Sequence, residues 1–505
     1  MTLSGIEARP PRPTLPDVDF DWDPGTWERV GGRALEAAIQ ASTGWSRRRP
    51  SPGLAAAEVA ARLSTTFPER PVPLDRLMTR VERDVIPLSS FNGHPAFYGY
   101  ITSSPNPVGV VGNLLAGALN PNTSLWRAAP AATTIELETI RWLNTIFKFP
   151  DTAEGIFSSG GQFANVIAYA VMRDQRAGWD VRAHGMRGPD GRAPKLSVYV
   201  SDQAHYCHEQ AVEFLGMGRE SIRKVPTDEA YRMRLDALSA MIAEDRQRGM
   251  RPIGVVGTAG TVGTGAVDPL PELVRFTRAE NLWLHVDGAY GAFGVLAESA
   301  PAPLQAMRDA DSIACDPHKW LYAPIDAAIT LIRHPGALQQ SFEFHPSYLQ
   351  QTAGACRVDL VERSPENSRP FRAFKVWLAL QAYGVSGYRA MIERNIRLAE
   401  YMEKLIAATP GLVNAAPREL SIVCWRVDPP SHGLAPEHAD QLQSDVIAEL
   451  ERRGIAFVSN AHLRDGRTAL RACIVNFRTT VDDVERLVAA SRDIGQELSK
   501  PSRAR

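Results

Sequence analysis

The sequence predicts an α/β fold, a large domain around a buried, mostly parallel sheet followed by a small carboxy-terminal α+β domain. Three observations carry this. Short apolar, β-branched runs alternate with helical segments through the middle of the chain, residues suited to chemistry sit just past the ends of those runs, and the pattern changes near residue 386. LSVYVSD is a strand followed by a helical AHYCHEQAVEFLGMG. PIGVVGTAGT is a strand ending in small residues, PLPELVRFTRAE has helical periodicity, and NLWLHVDGAYGAF is a strand that breaks at glycine. Such alternation marks βαβ units, whose parallel sheet is covered on both faces and binds ligands beyond the carboxyl ends of its strands. Asp202, Thr258 and Asp287 all fall at such ends.

Beyond residue 386 a long amphipathic helix, YRAMIERNIRLAEYMEKLIAAT, precedes two strand-like runs, LSIVCWRVD and ALRACIVNFR, with a helix between them. DPPSHGLAPEHAD reads as a polar loop in this domain. At the other end, residues 1–25 are proline-rich and extended, and WERVGGRALEAAIQAS has helical spacing. SPGLAAAEVAARLSTTF then opens with Ser51, a residue suited to capping a second helix. The expected divisions are an arm and helical extension over 1–92 that serves assembly, a large domain over 93–385 and a small one over 386–505.

Composition excludes several classes of function. The 505 residues carry 56 basic and 57 acidic side chains, a net charge of −1 that offers no field to attract nucleic acid or a membrane surface. Five scattered cysteines form no CxxC pair, so neither a disulfide framework nor a zinc site is expected, and a reducing cytoplasm suits them. MTLSGIEARPPRP lacks the apolar core of a signal peptide, and no apolar run is long enough to span a bilayer. The expectation is a soluble, cytoplasmic protein.

Four features carry chemistry. In SIACDPHKWLYAP, Lys319 follows a short apolar run; most lysines are solvated surface charges, but burial lowers an amine's pKa and makes it a nucleophile toward an aldehyde. Asp287 ends a buried strand, which is costly without a cationic partner such as a protonated pyridine nitrogen; a helix cap or metal ligand is the other reading, and no His/Asp/Glu cluster at metal spacing supports the metal. In GIFSSGGQFANVIAYAVMRD, Gly160 and Gly161 join a strand to a helix, where backbone N–H groups cradle an anion or simply turn the chain. His205 in SDQAHYCHEQ lies just past another strand, either satisfied by its neighbours or stacked on a flat ring. GxxxxGK, GxGxxG and GxSxG are all absent.

SDQAHYCHEQA, WLHVDGAYGAF and DPHKWLYAP together resemble the group II pyridoxal-phosphate-dependent amino-acid decarboxylases, which include the aromatic-L-amino-acid, glutamate and histidine decarboxylases. The likeness extends from HPAFYGYI through APAATTIELETIRWL to RPFRAFKVWLALQAYGVSGY and LRACIVNFRTT, most of residues 90–490. It implies a fold-type-I enzyme, similar to aspartate aminotransferase, with a seven-stranded mostly parallel sheet, pyridoxal 5′-phosphate as cofactor and a homodimer. By matching position, Lys319 resembles the Schiff-base lysine, Asp287 the partner of the ring nitrogen, and His205 the histidine stacked on the ring. Ala289 falls on the other ring face, Gly160, Gly161 and Gln162 where phosphate binds, and His318 before the lysine as in the family. Asp316 departs from the asparagine common at its position and receives no phosphate contact.

The resemblance implies decarboxylation of an L-amino acid to the amine and CO2. The family has a loop tyrosine that reprotonates the carbanion; counting back from Phe371–Arg372 without gaps reaches Leu360, and Tyr348 matches a different family position, so either the loop aligns with a gap or that proton donor is missing. In the similar aldehyde synthases an altered loop or histidine diverts the carbanion to oxygen, giving aldehyde, ammonia and peroxide, and this is the main alternative; a non-enzymatic cofactor-binding protein is a third. Tyr100 and Trp126 match positions lining the substrate pocket, the latter supplied by the dimer partner. Trp126 suits an aromatic substrate, whereas Arg127 beside it suits an acidic one; aromatic is the reading taken. Arg478 resembles the family's carboxy-terminal-domain arginine near the site, or forms a surface ion pair.

Overall fold

The computed structural model describes residues 20–344, 358–428 and 436–499. They form two compact units, one of residues up to 47 together with 54–89, the other of residues 48–53 together with everything from 90 onwards. The extended arm, most of the polar loop after residue 428 and Tyr348 lie wholly or largely outside the described residues.

The first unit contains helices α1 (Gly32–Thr43), α2 (Ala56–Leu63) and α3 (Leu74–Arg80). Arg33 ties it together, donating to both carboxylate oxygens of Glu82 at 2.7 Å and to Thr79 Oγ1 at 2.9 Å. Leu35, Ile39, Phe67 and Leu77 stay exposed, so the unit does not bury its own apolar faces. Ser51 does not cap α2. That helix begins at Ala56, with the Ala55 N–H donating to Glu58 Oε2 at 3.2 Å. Ser51 belongs to the second unit, where its hydroxyl donates to Glu451 Oε1 at 2.6 Å.

The second unit is built on a seven-stranded sheet of β1 (Glu154–Ser158), β2 (Leu196–Ser201), β3 (Ile222–Val225), β4 (Arg251–Thr258), β5 (Trp283–Asp287), β6 (Ser312–Cys315) and β7 (Ala328–Ile332). The order is β1-β7-β6-β5-β4-β2-β3, parallel from β6 to β3, with β7 antiparallel to both of its neighbours. Every residue of β1, β2, β5, β6 and β7 is buried, as expected of strands covered on both faces. Helices α4 (Pro107–Leu119) and α5 (Pro130–Phe147) precede the sheet, and α6 (Gly161–Arg176), α7 (Cys207–Phe214), α8 (Leu235–Gln247), α9 (Leu270–Glu280) and the short α10 (Pro317–Trp320) follow its strands. One core cluster includes Leu143, Phe147, Leu270 and Leu273 of α5 and α9, and another Val166, Ile167 and Met172 of α6.

Helix α11 (Arg372–Ala408) leads into the remaining sheet and breaks at Gly384, whose φ of 64° and ψ of 164° are not helical. Strands β8 (Leu412–Asn414), β9 (Ile422–Val427), β10 (Ser459–His462) and β11 (Thr468–Cys473) pair antiparallel in the order β10-β11-β9-β8. Helices α12 (Pro436–Arg452) and α13 (Val481–Leu498) bury Leu442, Val446, Val484 and Leu487 in one cluster with Trp425 and Leu470 of this sheet.

Candidate active site

The strands that point the same way end in functional side chains along one edge of the large sheet. β1 runs into Gly160 and Gly161, β2 stops just before His205, β5 ends on Asp287, and β6 is followed by Asp316 and Lys319. This is the edge beyond which α/β sheets place their ligands.

Asp287 is 7% exposed and is clamped from three elements. Oδ1 accepts from the Ala289 N–H at 3.0 Å, while Oδ2 lies 3.1 Å from His208 Nε2 and 3.4 Å from Asn165 Nδ2. Burial pushes the carboxyl up, but His208, the Ala289 N–H and Lys319 outweigh it and hold the group well below the usual carboxylate range. A second row of bonds fixes the clamp. Trp283 Nε1 donates to Ser312 Oγ at 2.8 Å, Ser312 Oγ lies 2.9 Å from His285 Nδ1, and His285 Nε2 lies 2.7 Å from Asn165 Oδ1. An N–H from His285 to the Asn165 carbonyl oxygen turns the Asn165 amide N–H toward Asp287. Tyr169 Oη, 3.0 Å from His208 Nδ1, completes the shell.

Sequence reasoning missed His208, Asn165, Tyr169 and His285. The signal for His208 was its place in the first turn of the helix that follows His205, and for His285 its position on the same strand face as Asp287. Burial lowers the His285 imidazole to about 3. Its unfolded value lies near 6.5, so its neutral burial stabilises fully above that pH and the contribution fades as pH falls toward 3. The expected result is an acid-side loss of stability of up to about 1.4 kcal/mol per pH unit from this group, read as a falling melting temperature and flattened in a His285→Gln variant.

His205 has a fixed tautomer. Its Nδ1 accepts from the Cys207 backbone N–H at 3.1 Å, and burial lowers its pKa while Asp287 opposes and Lys319 assists. The neutral ring therefore carries its proton on Nε2. The Tyr206 ring lies against it, centroids 4.2 Å apart and planes 33° apart.

Lys319 has a side chain one-fifth exposed and sits with Nζ 3.1 Å from Asp316 Oδ2. The expectation that burial would lower its pKa is overturned. Burial does act in that direction, but Asp316 and Asp287 outweigh it and raise the value. His318 Nδ1 lies 2.7 Å from the Ala327 carbonyl oxygen, which orients its ring, and its Nε2 is 3.5 Å from Asp316 Oδ2. Gly161 begins α6 in contact with this group: a Cβ there would meet Asp316 Oδ2 at 2.7 Å and the Ala289 Cβ at 3.0 Å. A Cβ on Gly160 would meet nothing within 4 Å, and Gln162 is exposed.

The residues matched to the substrate pocket are more scattered. Tyr100, at a φ of 56°, is held by its N–H donating to Ser459 Oγ at 2.7 Å and its carbonyl accepting from Arg471 Nη1 at 3.0 Å. Its exposed ring lines a cleft of about 780 Å³ with Asp202, Gln203 and Ala204, immediately before His205, and with Val262 and Phe457. Trp126 and Arg478 do not line that cleft. The Trp126 N–H donates to Asp359 Oδ1 at 2.7 Å. Arg478 donates to Ser104 Oγ and, at 3.3 Å, to the Gly93 carbonyl oxygen, with its guanidinium 4.5 Å from the Phe477 ring centroid.

Leu360, the gap-free match to the loop tyrosine, is fully buried in the core cluster of Ile156, Val166 and Leu338. The chain turns there into a short helix, Leu360–Arg363, so the position faces packed side chains and not a reacting centre. A Leu360→Tyr substitution should overpack the core and cost roughly 1–3 kcal/mol with no change in product ratio. Thermal unfolding and product analysis of the variant check both halves.

Folding also brings together a group that the sequence spacing did not reveal. Ligand atoms of Cys207, His208 and Asp287 lie within 4.8 Å of one another. His208 is already engaged by Asp287 and Tyr169, and burial pushes the Cys207 thiol far up, which disfavours the thiolate a metal would need.

These residues suit pyridoxal phosphate. An ionised, buried carboxylate awaits a cation, a lysine lies close by, and Gly161 at the helix start leaves no room for a Cβ. The hydroxyls of Ser158 and Ser201, last residues of β1 and β2, are buried without hydrogen-bond partners at the same edge.

Comparison with known proteins agrees. The family model described as the pyridoxal-dependent decarboxylase conserved domain matches residues 57–428, and the chain belongs to that family. An aromatic-L-amino-acid decarboxylase of Bacillus atrophaeus is 34% identical over 440 residues, 87% of this chain and 89% of the relative. A phenylacetaldehyde synthase of Petunia hybrida is 30% identical over 371 residues, 72% of each chain. The crystal structure of Oryza sativa TDC with PLP and tryptamine has the same fold, with a TM-score of 0.87 and 24% identity over 96% of this chain and all of that one. The chain is thus a pyridoxal-phosphate-dependent amino-acid decarboxylase with a fold-type-I architecture.

Proposed function

We propose that the substrate is an aromatic L-amino acid, decarboxylated at a site made of Lys319, Asp287 and His205. The observation that carries the site is the clamped, ionised Asp287 within the electrostatic reach of Lys319. Lys319 would hold the cofactor's aldehyde carbon, Asp287 its ring nitrogen, His205 and Ala289 the two ring faces, and Gly160, Gly161 and Gln162 its phosphate, with His318 flanking the lysine. When bound, pyridoxal phosphate supplies a ring that accepts the electron pair left as the Cα–carboxylate bond breaks. Asp287 keeps a positive charge on the ring nitrogen favourable, because its own proton affinity is so low. His205 offers an Nε2–H, the orientation that Cys207 enforces, and so can donate a hydrogen bond to a substrate oxygen. Lys319, as an ammonium group, is a proton source at the site once substrate has displaced it.

The aromatic assignment rests on the Bacillus relative's described substrate class and on Tyr100, Val262 and Phe457 along the cleft. A homodimer, with Trp126 and Arg478 reaching a site shared between copies, is part of this reading. Val110, Val111, Leu114, Leu115 and Leu119 are exposed on α4, an apolar face that a second copy would cover. Among the described residues no helix is long and apolar enough to cross a membrane, and Cys207, Cys315, Cys424 and Cys473 are unpaired, which suits the cytoplasm. The test is a panel of L-amino acids with CO2, amine, aldehyde and peroxide measured together. CO2 with aromatic amine is expected. Matching peroxide and aldehyde would overturn the amine as product, and preference for an acidic substrate would overturn the aromatic assignment.

A further inference from the structure

Asp316 is a charged group in the site to which the family resemblance gives no role. Its side chain is 2% exposed, lies 3.1 Å from Lys319 Nζ through Oδ2, and leaves Oδ1 buried without a hydrogen-bond partner. The same carboxylate abuts Gly161. It therefore stands between the lysine and the glycine turn that would receive the cofactor's phosphate.

We propose that Asp316 is a charge lock on Lys319, holding the amine as an ammonium ion in the cofactor-free chain and so opposing its condensation with the cofactor's aldehyde. This rests on Lys319 being the cofactor lysine. In the step the ammonium first gives one proton to solvent, which is harder while the Asp316 carboxylate lies 3.1 Å away. The nitrogen lone pair then attacks the aldehyde carbon, a carbon–nitrogen double bond forms, and the aldehyde oxygen leaves as water with two protons from the nitrogen. Only the unprotonated amine has a lone pair for this attack.

The other charged or titratable groups around Lys319 do not duplicate Asp316. Asp287 on β5 favours the ammonium from further away and is committed to His208, Asn165 and Ala289. His205, in the turn before α7, and Cys207, at its start, interact with it, both disposed to be neutral by burial, and His318 is bonded to Ala327. Burial lowers the Lys319 pKa, and Asp316 is the strongest of the groups that raise it again. An asparagine at this position keeps the volume and removes the charge.

The experiment strips cofactor from the full-length enzyme, adds pyridoxal phosphate back, and follows its binding absorbance across pH in wild type and Asp316→Asn. Borohydride reduction and peptide mapping then locate the label. Ionisations of the free cofactor are common to both proteins, so a difference in midpoint belongs to the protein. Removing a negative charge near the phosphate changes the height of the profile, whereas the midpoint moves only if Asp316 holds the lysine's proton. The expected result is label on Lys319, a loading midpoint about one pH unit or more lower in the variant, and roughly tenfold faster loading near neutral pH. Coincident midpoints with Lys319 labelled would overturn the charge lock alone. Label at another residue would overturn the reading of Lys319 and the lock with it. Asp316→Ser, equally neutral and smaller, carries the same prediction should the asparagine variant fold poorly.

Discussion

Replacing Lys319 by alanine is expected to lower CO2 release by roughly 10⁴–10⁶-fold and to abolish the absorbance of covalently bound cofactor. Two effects combine in this loss. The amine that anchors the aldehyde disappears, and so does the ammonium that can return a proton to the product. The substitution also strips Asp316 of its cation. A carboxylate 2% exposed and left without its partner costs about 3–5 kcal/mol, so the variant should melt at a lower temperature as well. Adding Asp316→Asn to Lys319→Ala should recover much of that stability and none of the activity. A double variant as unstable as the single one would mean that the ion pair is not the source of the cost.

The second large effect is expected at Asp287. Asp287→Asn retains the volume and one acceptor, but an amide cannot offset a positive charge on the ring nitrogen. CO2 release should fall by roughly 10²–10³-fold, with weaker cofactor binding measured by equilibrium titration. A stability effect accompanies it, with a definite sign. The carboxyl's value in the fold lies below its ordinary 3.8, so its stabilisation is complete above pH 3.8 and is lost as pH falls through the folded value. The variant should lack that acid-side component while keeping the one due to His285. If Asp287→Asn retained full activity, Asp287 would not be the partner of the ring nitrogen.

The two effects divide as the fold divides. Asp287 ends β5 and Lys319 lies on α10 just past β6, and these two buried strands run side by side in parallel. Rigid parallel strands deliver their last residues to one edge, which explains why side chains 32 positions apart in the chain meet there. Helix-start glycines and His205 reach the same edge from β1 and β2. The supports come from elsewhere: Asn165 and Tyr169 from the buried face of α6, and His285 from the interior of β5. Each is an uncharged or neutralised polar group in a low-dielectric core, where a satisfied network holds one arrangement firmly.

By itself the sequence determined the periodicities of β2, β4 and β5 and of their following helices, and it marked Lys319, Asp287, His205 and the Gly160–Gly161 turn. Those are local signals: apolar alternation, a charged residue at a strand end, and glycines where a helix begins. Only the tertiary structure decided that β7 runs antiparallel between β6 and β1, that His208 and Asn165 clamp Asp287, and that Leu360 is core. It also decided the sign of the Lys319 shift. Burial alone would have made that amine neutral; Asp316 is a local neighbour three positions away, but nothing local showed that its carboxylate would be buried against the amine or that Asp287 would reach it. Pairing between segments distant along the chain has no local signature, because a strand's direction, a neighbour's charge and a side chain's burial are set by what packs against them.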